Sequence, residues 1–97
     1  MVKHIVLWKL KETAPAEKAK ILAHMKEILT GLVGVVPGLV SAEVGFNYNP
    51  EGFDVSLYSE LASKEALDGY QIHPAHLKVK EYVRSVISER AVSDYEI

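Results

Sequence analysis

VKHIVLWKLK, residues 2–11, alternates along its whole length. Val2, His4, Val6, Trp8 and Leu10 fall on one side, and Lys3, Ile5, Leu7, Lys9 and Lys11 on the other. Period two with β-branched and aromatic residues is the signature of a strand. Both faces are apolar in the middle, through Val6 and Trp8 on one side and Ile5 and Leu7 on the other. A strand with one face in water has no use for the second set. Something must therefore cover each face.

Downstream, TAPAEKAKILAHMKEILTGLVGVVPG changes the period to three and four. Ile21, Leu22, Met25, Ile28, Leu29 and Leu32 form one stripe of a helix. Thr13 is placed as its N-cap, with Pro15 in the first turn, Glu17 as early negative charge, and Gly31 or Gly34 as the stop. Pro37-Gly38 then turns the chain into LVSAEVGFN. Val40, Ala42, Val44 and Phe46 alternate there as a second strand. NYNPEG reads as a hairpin loop, and Phe53, Val55 and Leu57 alternate with Asp54, Ser56 and Tyr58 in a third strand. Ser63 can cap a short helix, KEALDGY. His73 precedes a proline, which pushes its backbone out of the α region, and Pro74 suits the first position of a new helix. Leu77, Val79, Tyr82, Val83 and Val86 continue that helix, with Lys78, Lys80, Glu81 and Arg84 turned to solvent. ERAVSDYEI is a last, weaker strand.

The order β-α-β-β-α-β predicts an α+β, ferredoxin-like domain spanning residues 1–97: a four-stranded antiparallel sheet with helices on one face. Helices on one face leave Ile5 and Leu7 bare on the other. Burying that face against a second copy makes a homodimer.

The totals bound the rest. At 97 residues the chain holds one core, and 48% hydrophobic with 25% charged residues is ordinary for a globular domain. The net charge is -2 with no basic stripe, so a nucleic-acid surface is not expected. The absence of cysteine excludes disulfides and thiolate metal sites. No apolar run approaches the roughly 20 residues of a membrane span, and a cytoplasmic location without membrane contact is expected. GLVGVVPG lacks the strand-to-helix setting of a phosphate loop.

Chemistry concentrates in GYQIHPAHLKV, residues 69–79. With Pro74 first in its helix, His76 lies third, where the helix dipole disfavours added positive charge and keeps the imidazole neutral. Tyr70 sits just before the break, and a compact turn brings its phenol toward the same space. A phenol donor beside a neutral imidazole suits proton abstraction next to a carbonyl. The same stretch can also serve only to end one helix and start another. His4 shares a face with Val6 and Trp8 and joins the pocket candidates; His24 reads as a surface residue. His73 and His76 with Asp68 or Glu65 do not make a legible metal set across the proline break, so no metal or cofactor is expected.

VKHIVLWKLK, VPGLVSAEVGFN and YQIHPAHLKV, closed by a C-terminal strand, resemble the stress-responsive A/B barrel (Dabb) family over nearly the whole chain. The resemblance implies a dimeric α+β barrel in which two ferredoxin-like sheets pack face to face. It also implies that Tyr70 and His76 occupy the positions used in catalysis by a polyketide cyclase branch, with His4 in the pocket. On an ungapped alignment Val55 stands where that branch has a further pocket histidine. The expected site is thus Tyr70 and His76 as catalytic groups, lined by His4, Val6, Trp8, Val55, Ile72 and His73. The activities in view are small-ligand binding, cyclase or lyase chemistry on a carbonyl compound, and cofactor-independent oxygenation.

Overall fold

The computed structural model describes Met1–Ile97. Its elements run β1 (Val2–Leu10), α1 (Pro15–Thr30), β2 (Leu39–Phe46), β3 (Val55–Leu61), α2 (Lys64–Ile72), α3 (Pro74–Val86) and β4 (Ile87–Glu96). The four strands form one antiparallel sheet in the order β2-β3-β1-β4. This is the ferredoxin-like arrangement the strand and helix order implies. β1 is central, paired with β3 through Val6 opposite Leu57 and with β4 through Val6 opposite Val92.

Alternation decides which residues enter the core. Val2, His4, Val6, Trp8 and Leu10 are buried, as are Val55, Leu57, Ser59 and Leu61 beside them on β3. The helices close over this face with Met25, Leu29, Tyr70, Val79 and Val83. On the opposite face Ile5, Leu7, Tyr58 and Ala91 are only half-buried by their own chain.

Three local readings change. Thr13 does not cap α1: its hydroxyl donates to the Lys11 carbonyl, and Ala14 occupies the cap without a side-chain bond. Val40 is exposed instead of joining the core, because the β2–β3 register shifts between Leu39 and Ser41 and the extra residue turns out of the ladder. Leu39 takes the buried place. Leu77 is likewise exposed, since α3 buries His76, Val79 and Val83.

The helix break is built by two caps. The Ser63 hydroxyl accepts from the Ala66 N–H at 3.1 Å, starting α2. His73 has extended backbone (φ -64°, ψ 133°), ends α2, and its Nδ1 accepts from the Ala75 N–H at 3.1 Å to start α3. The turn before β2 depends on Gly38. Its φ is +83°, and a Cβ there would lie 2.5 Å from Ala66 Cβ, so only glycine lets α2 sit this close.

Candidate functional site

A cavity of about 240 Å³ lies between the helix-covered face of the sheet and the helices. β1 supplies His4, Val6 and Trp8, and β3 supplies Leu57. Leu29 of α1, Val79 and Val83 of α3, and Ile87 of β4 complete the apolar walls. Tyr70 and Gln71 come from the end of α2, His76, Lys80 and Arg84 from α3, and Arg90 from β4.

Three rings meet in it. Tyr70 and His76 stack with centroids 4.0 Å apart, which the break at His73 permits by folding α3 back beside α2. His4 meets the Tyr70 ring edge-on at 5.9 Å. Opposite His4 on β4 lies Asp94, whose carboxylate hydrogen-bonds His4 Nδ1. Ser59, opposite His4 on β3, donates its hydroxyl to the His4 carbonyl at 3.0 Å. His4 is thus held by neighbours on both sides.

Their electrostatics differ. Burial pushes the Tyr70 phenol up to about 12, so it stays protonated and can only donate or accept a hydrogen bond. His76 is lowered from 6.5 to about 4, first by burial and also by the charge of Lys80, with backbone groups of Gln71 and Tyr70 acting the other way. It is neutral at physiological pH. Its Nδ1 is buried without any hydrogen-bond partner. A buried polar atom left so costs about 1–3 kcal/mol, which makes it a natural point of attachment for a bound molecule. In the neutral tautomer whose Nδ1–H donates to Asp94, the His4 Nε2 lone pair is an acceptor.

Of the residues marked from sequence, Tyr70, His76, His4, Val6 and Trp8 come together in this cavity. Val55, Ile72 and His73 do not. Val55 is fully buried in the core beyond Leu57. Ile72 is 74% exposed, because two residues past Tyr70 a helix has turned by about 200°. His73 spends its imidazole on the α3 cap. Lys80 and Arg84, expected on a solvated face, and Arg90 instead edge the cavity. Their signal was present: His76, Lys80 and Arg84 are spaced by four and form one row of α3. Asp94 gave no such signal, since only the β1–β4 register places it beside His4. No cluster of three or more histidine or acidic side chains suited to a metal forms in the chain.

This geometry sits in a fold with close relatives. The family model for the stress-responsive A/B barrel domain matches residues 2–97. The chain belongs to that family. An uncharacterized protein of Streptomyces coelicolor is 31% identical over 78 residues, covering 78% of this chain and 79% of its own. A dimeric protein of unknown function and ferredoxin-like fold from Bacteroides fragilis superposes with a TM-score of 0.89 at 35% identity, over 99% of this chain and 95% of that one. A hydroxynitrile lyase from Passiflora edulis has a TM-score of 0.79 at 19% identity, over 99% and 92% of the two chains, a likeness of fold alone. The Dabb assignment therefore rests on the whole domain, and the relatives leave its activity open. No helix of this Dabb domain is long and apolar enough to cross a membrane.

Proposed function

We propose that this Dabb protein is a homodimer that binds a small organic ligand in the His4–Tyr70–His76 cavity. The observation carrying this reading is His76 Nδ1, buried and unpartnered beside a stacked phenol in a cavity with room for a molecule. At about 240 Å³ the space is below the roughly 300–1,000 Å³ of drug-sized sites, which favours a compact ligand. Dimerisation is supported by the dimeric relative from Bacteroides fragilis and by the half-buried strip of Ile5, Leu7, Tyr58 and Ala91.

Trp8, the single tryptophan, lines the cavity and reports occupancy. Titration with acetophenone, a neutral aromatic carbonyl compound, is expected to change Trp8 emission saturably. Tyr70→Phe should weaken the effect, because it removes the donor while keeping the ring. A Trp8 signal that never saturates would contradict ligand binding in this cavity.

A second reading, proton transfer next to a carbonyl, is favoured by the His4–Asp94 pair. A base whose conjugate acid titrates near 4 is poorly matched to neutral pH. The roles therefore redistribute. His4, oriented by Asp94, accepts the proton; Tyr70 donates a hydrogen bond to the carbonyl oxygen; His76 positions the substrate as a neutral partner. Exchange of the acetophenone methyl protons in D₂O, followed by NMR, tests it. Acceleration by the wild type that Asp94→Asn and Tyr70→Phe each diminish supports the reading, and a rate equal to the buffer blank sinks it.

A further inference from the structure

The solvent edge of the cavity is cationic. Both arginines, Arg84 and Arg90, line it, with Lys80 beside them, and no aspartate or glutamate does. None of the three forms an ion pair, so no carboxylate of the chain neutralises them. General basicity does not explain this, because acidic residues outnumber basic ones, 13 to 11. Arg84 in the last turn of α3 also suits the helix dipole, but that does not account for Arg90 on β4. Arg84 and Arg90 are exposed while Val6, Trp8 and Leu57 are buried beside His4, Tyr70 and His76, so the cavity has apolar walls around three polar rings and is positive at its solvent edge.

We infer that the ligand is a small organic anion, with an apolar body against Val6, Trp8 and Leu57 and an oxyanion head held by Arg84 and Arg90. This deepens the proposed function and rests on the cavity being a ligand site. Guanidinium groups present paired donors that match carboxylate and phosphate oxygens, and such charge-assisted bonds are roughly twice as strong as neutral ones. Carboxylate and phosphate ester share this chemistry, and the experiment separates them.

Benzoate, phenyl phosphate and benzamide are titrated against Trp8 emission in the wild type and in the Arg84→Gln/Arg90→Gln double variant. Both side chains are exposed, so the double variant is expected to fold, and a circular-dichroism melt verifies it. At least one anion should bind the wild type about tenfold or more tighter than benzamide, an advantage that salt reduces. The double variant should lose that advantage. Whichever anion binds tighter identifies the head group. Benzamide binding as tightly as both anions, or a preference that survives the double variant, overturns the inference and leaves the ligand-site reading standing. If none of the three binds the wild type, the ligand-site reading falls and this inference with it.

Discussion

The two faces of the sheet are made by the same four strands and differ in what is left unfinished. On the helix side Val6, Val55, Leu57 and Leu61 are almost wholly buried, around a cavity lined by the rings of His4, Trp8, Tyr70 and His76 with one unpaired ring nitrogen. On the opposite side Ile5, Leu7, Tyr58 and Ala91 form a half-buried apolar strip, flanked by the Lys3–Glu60 ion pair at 2.9 Å. One face encloses a cavity and the other presents an apolar strip. Period two therefore divides β1: His4, Val6 and Trp8 at even positions line the cavity, and Ile5 and Leu7 at odd positions form the strip.

Changes on each face should break one property and spare the other. Ile5→Lys with Leu7→Glu should have the largest effect, converting a dimer into a monomer by sedimentation, since unpaired charges buried in an interface cost several kcal/mol. Trp8 should still report acetophenone, because that face does not line the cavity. A variant that stays dimeric would show that the strip is not the contact. Leu57→Ala on the other face is expected to cost about 2–5 kcal/mol in chemical denaturation, the range for truncating a buried leucine. Gly38→Ala follows at about 1–3 kcal/mol, from a φ of +83° and the collision with Ala66. A wild-type-like melt would mean that α2 shifts freely, and with it Tyr70.

The pH dependence also belongs to the helix side. The folded-state pKa of His76 is depressed from 6.5 to about 4, so the unfolded chain binds more protons between those values. Its contribution to stability is present above about pH 6.5 and declines as pH falls toward 4. Denaturation midpoints should show that slope, and His76→Gln should flatten it. An unchanged slope would show that His76 protonates as readily folded as unfolded. Ile72→Ser, at an exposed helix end, should move stability by no more than about 0.5 kcal/mol, and a larger loss would put a partner on that surface.

What could be read from the sequence follows from how local each signal is. His4, Val6 and Trp8 were placed on one face by alternation alone, and Tyr70 was brought to His76 by a break that Pro74 announces two residues ahead. Val40 was misplaced because one bulge residue reverses the faces, and a bulge has no composition of its own here. Ile72 and His73 lay next to the right residues, but helix rotation and capping set their direction. Asp94 and Arg90 depend on pairing between strands more than 80 residues apart, which no window of sequence contains.

The four histidines allow the most direct test, since they sit in different places. His4 and His76 line the cavity, His73 caps α3, and His24 lies exposed on α1. A ¹⁵N-histidine NMR spectrum of the wild type would be recorded at neutral pH without and with acetophenone. The expected result is a neutral His76 whose ring resonances, with those of His4, move on titration while those of His24 and His73 stay fixed. Movement of His24 and His73 alone, or a charged His76 before any addition, would contradict the cavity as the working site.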